Sequence, residues 1–264
     1  MPELPDVEVF KNYLNATALH QDISDIEVRE RSLLGEVSER DLRSHLEGSR
    51  FEETLRHGKY LLVKVEGDGF LVLHFGMTGF LRYFKNPDQK GEHTRMQITF
   101  SNGYHLTYDC QRKLGLIDWV EHPEALVARK ELGDDPWSEE FDASRFRELM
   151  EGRRGSVKSA LMNQSVIAGI GNVYSDEILF QAGIHPRSSV RHLDPDHLKK
   201  LYHALREVID TAVEAKADPA SMPSHYLSRV RGKEDTCPKC GGRLATEKVS
   251  GRTSHFCTDH QRKL

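Results

Sequence analysis

The sequence predicts an α+β protein of several domains, with a strand-rich N-terminal part, a helical middle part and a short cysteine-rich end. Short apolar or alternating segments, separated by Gly, Asn or Asp, fill residues 23–120, which is typical of an antiparallel β-sandwich. Helical periodicity dominates residues 141–217, and three of the four cysteines lie in the last 28 residues. We therefore predict domains at 1–130, 131–218 and 230–264.

The N-terminal part is predicted to begin with one helix and to continue with strands. Apolar residues at Val7, Phe10, Leu14 and Ala18 predict a helix over residues 5–20. The seven strands predicted after it are Ile23–Val28, Tyr60–Val65, Phe70–Phe75, Phe80–Phe84, Met96–Phe100, Tyr104–Tyr108 and Leu116–Val120.

Composition and charge limit the class of protein. With 38% hydrophobic and 30% charged residues, no apolar run of membrane-spanning length and no secretion signal, the chain is predicted to be a cytoplasmic globular protein. Residues 1–150 carry 19 Lys+Arg against 28 Asp+Glu, a net charge of −9, whereas residues 151–264 carry 18 against 13, a net charge of +5. The basic second half can bind phosphates while the first half carries the chemistry, although a merely solvated basic face gives the same count.

The cysteine-rich end has the spacing of a metal site. Two residues separate Cys237 from Cys240, sixteen residues follow, and two residues again separate Cys257 from His260. Two such pairs joined by a hairpin are typical of a zinc ribbon, because tetrahedral zinc needs four ligands. We predict one structural Zn²⁺ held by these four residues, with His255 as the competing fourth ligand.

The N-terminus pairs a potential nucleophile with a carboxylate. Removal of Met1 would leave Pro2 with a free secondary amine, which is less basic than a lysine side chain and hence more often uncharged and nucleophilic. Glu3 is then a candidate acid/base. The alternative is that Pro2 starts a helix and Glu3 complements the helix dipole.

The helical part contains a candidate anion site. Gly169 and Gly171 precede Asn172, and a tight turn there would expose backbone amides at the start of a helix. Lys158 lies shortly before this turn. A simple connection between two helices is the alternative.

Two turns of the strand-rich part carry unusual residues. Lys59 is predicted in a turn before a strand, and Met77 in a turn bracketed by glycines. An apolar side chain at a loop tip needs a cover, and a base stack opened by removal of one nucleotide would provide it. The alternatives are that Lys59 is solvated and that Met77 packs under its own loop.

Taken in order, these motifs resemble those of the formamidopyrimidine-DNA glycosylase and endonuclease VIII family of oxidised-base repair enzymes. The resemblance rests on Pro2-Glu3-Leu4-Pro5, Lys59, His74-Phe-Gly-Met77-Thr-Gly, Arg112-Lys-Leu-Gly115, Lys158 through Tyr174, Ala182-Gly-Ile-His-Pro186 and the predicted zinc ribbon. It implies an N-terminal catalytic β-sandwich, a helix-two-turn-helix DNA-binding domain and a zinc finger, with damaged double-stranded DNA bound between them by a monomer acting on the nucleoid.

The resemblance also implies roles for single residues. Pro2 would attack C1′ of the damaged nucleotide, Glu3 would be the acid/base, and Lys59 would contact the lesion and the adjacent phosphate. The implied reaction is base excision followed by β- and δ-elimination. The residues implied to bind DNA are Lys158, Asn172 and Arg252 on the backbone, and Met77, Arg112 and Leu114 in the void left by the flipped nucleotide.

Departures from the family pattern bear on the substrate. Leu114 stands where the family usually has a phenylalanine beside the orphaned base, which leaves the preferred opposite base open. Residues 218–236 are too few for a long lesion-capping loop such as 8-oxoguanine-preferring members carry. We therefore expect a preference for oxidised pyrimidines, hydantoins or formamidopyrimidines over 8-oxoguanine. The competing hypotheses are a non-catalytic damaged-DNA binder on the same scaffold and a general zinc-ribbon factor.

Overall fold

The computed structural model describes residues 1–67 and 69–264 of the chain. They form two units, one made of residues 1–2 and 6–130 and the other of residues 3–5 and 131–264. Residues 3–5 therefore belong with the second unit, although residue 6 and the residues after it belong with the first.

Strands dominate the first unit. They are β1 (Ile23–Val28), β2 (Phe51–His57), β3 (Tyr60–Val65), β4 (Phe70–His74), β5 (Gly79–Phe84), β6 (Thr94–Phe100), β7 (His105–Cys110) and β8 (Leu116–Val120). One antiparallel sheet has the order β1-β6-β7-β5 and the other β2-β3-β4-β8. The helices here are α1 (Leu4–Thr17), whose first two residues belong with the second unit, α2 (Glu39–Leu46) and α3 (Pro123–Arg129).

The two sheets share one apolar core. Ile26 and Ile98 from one sheet and Leu61 and Leu73 from the other are all at most 1% exposed and lie in the same cluster. Burial of an aliphatic side chain contributes about 1.5–3 kcal/mol, so this shared layer is the main force that holds the sheets together. The predicted β-sandwich is confirmed, and the seven predicted strands end within two residues of their expected bounds.

Strand β2 was not predicted from the sequence, because its apolar and polar residues do not alternate regularly. It lies at the edge of its sheet, and its register shifts between Phe51 and Glu53. Only Phe51 and Thr54 of its seven residues are buried, whereas Leu55 is exposed. A bulge breaks the two-residue alternation on which strand prediction depends.

Helices and one hairpin form the second unit. They are α4 (Ala143–Met150), α5 (Val157–Leu161), α6 (Asn172–Ala182), α7 (Pro195–Glu214), α8 (Leu227–Val230), β9 (Leu244–Val249) and β10 (Arg252–Cys257). Helix α7 starts where the side chain of Asp194 accepts the N–H of His197 and where Pro195 occupies the first helical position. Its face formed by Leu201, Leu205 and Val208 is fully buried in the core of the unit. No helix in the described part of the chain is long and apolar enough to cross a membrane.

Candidate active site and nucleic-acid interface

The carboxylate of Glu3 is seated on the N-terminal end of α6. Its oxygens accept the N–H groups of Gly171 at 2.7 Å, Val173 at 2.9 Å and Tyr174 at 3.2 Å. The residue is 1% exposed. Three amide donors and the positive end of the helix dipole can stabilise negative charge at this position.

Gly171 is required by this seat. A Cβ atom at that position would lie 2.4 Å from Cδ of Glu3 and 2.5 Å from its Oε1. The anion that the glycine turn was predicted to bind is thus a carboxylate of the chain itself. The sequence gives no sign of this pairing, because 168 positions separate the two residues.

The segment around Glu3 is fixed by its neighbour as well. The N–H of Leu4 donates to the carbonyl of Gly169 at 3.1 Å, and the Leu4 side chain is fully buried in the core of the second unit. Pro2, which is partly buried, directly precedes this anchored segment. The structure therefore places the candidate acid/base in a fixed position one residue from the candidate nucleophile.

Three predicted DNA-binding positions meet beside this seat. Nζ of Lys158 donates to Oδ1 of Asn172 at 2.8 Å, and Nδ2 of Asn172 donates to the carbonyl of Thr253 at 3.0 Å. Arg252, the first residue of β10, is exposed, whereas Lys158 is fully buried. The start of α6 is thus linked to α5 on one side and to the hairpin on the other.

The predicted void-filling residues lie on two adjoining loops of the first unit. Met77 is 37% exposed and Leu114 is 52% exposed. Gly76, at φ +56°, approaches so closely that a Cβ atom there would lie 2.3 Å from the carbonyl oxygen of Leu114. The N–H of Arg112 donates to Oγ1 of Thr78 at 3.0 Å. Apolar side chains are therefore held out at the tips of loops that are fixed to each other.

Lys59 lies in the turn between β2 and β3 and is 8% exposed, so it is buried rather than solvated. Close by in the same unit is His74, a residue to which the sequence analysis gave no role. Burial lowers the pKa of His74 from 6.5 to about 4, and the positive charges of Lys59 and Lys130 add to the shift. The Nδ1 atom of His74 accepts the N–H of Gly76 at 3.3 Å, so a neutral imidazole supports the Met77 loop.

The four predicted metal ligands form one cluster. The three Sγ atoms and Nδ1 of Cys237, Cys240, Cys257 and His260 all lie within 4.8 Å of one another. Each sulfur accepts a backbone N–H two residues further on at 3.4 Å. Four converging soft ligands fit a tetrahedral metal ion, and the N–H donors stabilise thiolates.

His260 rather than His255 completes this cluster. Nε2 of His260 lies 3.1 Å from the carbonyl of Phe180, which fixes the ring and leaves Nδ1 facing the sulfurs. His255 is absent from the cluster found among the described residues, and its N–H donates to Asp176 instead. The strands β9 and β10 form the hairpin that was predicted between the two ligand pairs.

Comparison with known proteins gives the family. Residues 1–117 match the formamidopyrimidine-DNA glycosylase N-terminal domain, and residues 132–224 match the H2TH domain of the same enzyme. The formamidopyrimidine-DNA glycosylase of Synechococcus elongatus is 33% identical over 99% of this chain and 97% of its own length. The chain belongs to the formamidopyrimidine-DNA glycosylase family.

Other members agree with this assignment. The formamidopyrimidine-DNA glycosylase of Stutzerimonas stutzeri is 33% identical over 99% of this chain and all of its own length. A crystal structure of the Lactococcus lactis formamidopyrimidine-DNA glycosylase, bound non-covalently to DNA with an abasic site, superposes with a TM-score of 0.90. That protein is 27% identical over 99% of this chain and all of its own length. The predicted family, the predicted α+β fold and the predicted enzyme class, a DNA glycosylase of DNA repair, are confirmed.

Proposed function

We propose that this formamidopyrimidine-DNA glycosylase family member is a bifunctional DNA glycosylase and abasic-site lyase of base excision repair. Pro2 would act as the nucleophile after removal of Met1, and Glu3 as the acid/base. The observation that carries the proposal is the seat of the Glu3 carboxylate on the amides of Gly171, Val173 and Tyr174. This buried carboxylate directly follows Pro2 in the chain, which is where an acid/base is needed if the Pro2 amine is the nucleophile.

The proposed chemistry follows from a secondary amine. The Pro2 nitrogen attacks C1′, and the oxidised base leaves with the electron pair of its bond to C1′. The Glu3 carboxylate takes the proton from the nitrogen and passes it to O4′ as the C1′–O4′ bond breaks, which opens the deoxyribose ring to an iminium. The resulting iminium is already cationic and draws electrons from C2′, so a C2′ proton is lost and the 3′ phosphate leaves in β-elimination. Loss of the 5′ phosphate by δ-elimination then leaves a one-nucleotide gap with phosphate at both ends.

The remaining side chains would hold the DNA. Arg252 is the first residue of β10 and Asn172 the first residue of α6, and both would bind the backbone of the flipped nucleotide. Met77 and Leu114 present apolar surface that an opened base stack would cover. Lys59 and Arg112 are the other proposed contacts, whereas Lys158, which was predicted with them, bonds to Asn172. We propose a monomer that binds double-stranded DNA containing oxidised bases or abasic sites in the cytoplasm.

Reductive trapping tests the proposed reaction. Borohydride should link the mature protein covalently to a duplex with an abasic site, and peptide mapping should find the adduct on residue 2. An otherwise identical undamaged duplex is the control. Glu3→Gln should greatly reduce turnover and retain binding, because the isosteric amide cannot supply or accept the proton. Binding without any trapping would instead support a non-catalytic damaged-DNA binder.

The substrate is proposed to be an oxidised pyrimidine, a hydantoin or a formamidopyrimidine rather than 8-oxoguanine. The short segment 218–236 supports this preference, since it contains only the four-residue helix α8 and a short 3₁₀ turn at Pro219–Ser221. Single-turnover rates on a panel of duplexes, each with one lesion, provide the test. Fastest excision of 8-oxoguanine would contradict the argument from loop length.

The metal is proposed to be one structural Zn²⁺. Three thiolates and one imidazole suit zinc, and the residues that hold the ion leave no open position for a substrate. Elemental analysis should find one zinc per chain, and Cys240→Ser should lower that content.

We also propose the division into a catalytic domain at 1–130, a DNA-binding domain at 131–218 and a zinc finger at 230–264, which limited proteolysis can examine.

A further inference from the structure

The ammonium group of Lys158 has no donor left for a ligand. Its three N–H bonds point to Oδ1 of Asn172 at 2.8 Å, Oδ1 of Asp176 at 2.6 Å and Oγ of Ser254 at 2.7 Å. An ammonium group has three donors and no acceptor. A direct bond from Lys158 to a DNA phosphate would therefore have to break one of these bonds inside the protein.

Asp176 is the centre of the same network. One carboxylate oxygen accepts from Lys158, and the other accepts from Arg231 at 2.7 Å and from the N–H of His255 at 3.0 Å. The carboxylate thus joins α6 to α5, to the end of α8 and to strand β10. Helix periodicity places Asp176 one turn after Asn172, on the side that faces the hairpin.

The network is shielded from solvent. Lys158 and Ser254 are fully buried and Asp176 is 1% exposed, while the Arg231 side chain is 18% exposed. Removing one partner of such a buried ion pair leaves an uncompensated charge, which is far more costly than loss of a surface pair. Contacts made here therefore fix geometry more firmly than those of an exposed lysine.

We propose that Lys158, Asp176 and Arg231 form a buried ionic lock that seats the hairpin β9–β10 on the start of α6 and thereby positions Asn172 and Arg252 for DNA. The inference rests on the proposed function, in which Asn172 and Arg252 bind phosphates. It assigns Lys158 and Asp176 as positioning residues rather than as DNA ligands. The bonds from Asn172 to Thr253 and from Lys158 to Ser254 hold the two residues of β10 that directly follow Arg252.

The Asp176→Asn variant distinguishes a positioning role of Asp176 from a general effect of its negative charge on DNA binding. Removing a negative charge near DNA would strengthen binding if only electrostatics acted. The lock predicts the opposite, roughly tenfold weaker binding to a duplex with a tetrahydrofuran abasic-site analogue, which is the loss expected when one charge-assisted phosphate contact is misaligned. Asp196→Asn makes the same chemical change at an exposed position of α7 and is the matched control.

The salt dependence of binding gives a second readout. Each phosphate neutralised by a cation contributes about −0.9 to the slope of log K against log salt concentration. Arg252→Ala should make the slope less steep by about that amount, and Asp176→Asn should do the same although it removes no cation. The double variant should lose no more than either single variant. A partly unfolded variant would lose active protein without this change in slope.

A DNA-free measurement tests the lock independently of the proposed function. Hydrogen exchange at the His255 amide, which donates to Asp176, should be faster in Asp176→Asn and in Lys158→Met, and unchanged in Asp196→Asn. Ser254→Ala, which removes one hydroxyl only, keeps the test open if a charge variant does not fold; it should also speed exchange and weaken binding.

Unchanged exchange in all three network variants, or an Asp176→Asn protein that binds as tightly as wild type with an unchanged slope, would overturn the lock. If the variants show the predicted exchange differences but the wild-type protein does not bind the abasic-site duplex, the lock is supported and the proposed function is refuted.

Discussion

Replacing Gly171 by alanine should disable the proposed chemistry while leaving the DNA-binding residues unchanged. The added Cβ would lie 2.4 Å from Cδ of Glu3, whereas carbon atoms in ordinary contact are about 3.5–4.0 Å apart. The carboxyl group must therefore move by about 1 Å or more. Such a shift also breaks the short bonds to the amides of residues 171, 173 and 174.

The expected effect is large. A displacement of about 1 Å in a catalytic group can cost about 10²-fold in rate, which corresponds to about 2.7 kcal/mol of transition-state stabilisation. We expect the Gly171→Ala protein to cleave an abasic-site duplex about 10²-fold more slowly under single-turnover conditions with saturating enzyme, and to be trapped by borohydride correspondingly more slowly. The equilibrium affinity for the duplex should stay close to that of wild type, because Arg252 is unchanged.

The control is Ser165→Ala, which adds no atoms to an exposed position of the same loop and should retain the wild-type rate. Circular dichroism and DNA affinity show whether the alanine variant is folded. A folded Gly171→Ala protein with a wild-type rate of cleavage would refute the assignment of Glu3 as the acid/base held by this seat.

Three further predictions concern pH, the loop tips and the metal. Because the pKa of His74 falls from 6.5 to about 4 on folding, the unfolded chain binds the extra proton between these values; the free energy of unfolding should fall by up to about 3 kcal/mol as pH drops through that window. Urea unfolding at pH 7 and pH 5 measures this fall in the free energy of unfolding. In the His74→Gln protein the contribution of His74 to the fall should be absent. Met77→Ala combined with Leu114→Ala should weaken binding to the abasic-site duplex much more than to an undamaged one, and equal losses on both would contradict a void-filling role. Chelation of the metal should lower DNA affinity, as measured by fluorescence anisotropy, and readdition of zinc should restore it; undiminished affinity of the metal-free protein would show that the hairpin does not depend on the ion.

Local patterns predicted most of the fold. Strands such as β3 and β8 have the expected bounds, because each is a short, mostly apolar segment that follows a turn containing glycine. β2 was not predicted, since a bulge and an edge position leave it with charged residues where alternation requires apolar ones. α2 was also not predicted, although Ser38 caps it and its buried face is formed by Leu42 and Leu46.

The chemistry of the site was accessible from residue types and spacing, but its connections were not. The four predicted metal ligands lie within one short segment, so their spacing alone predicted the cluster. The bond between Glu3 and Gly171 connects residues that are 168 positions apart in the sequence. A helix start with free amides does not show which anion will bind there. Asp176 was missed for a similar reason, because the sequence does not show that this acid is buried or that Lys158 and Arg231 lie beside it.

The way Glu3 is held has a consequence for biosynthesis. The residues at the start of the chain leave the ribosome first, yet the amides that receive the carboxylate belong to residues 171–174 and are made much later. A nascent or truncated polypeptide that ends before residue 171 contains Pro2 and Glu3 but lacks the amides that hold the Glu3 carboxylate. The contacts that hold Glu3 next to the proposed nucleophile therefore form only when residues 171–174 have been made and folded, and incomplete translation products lack them.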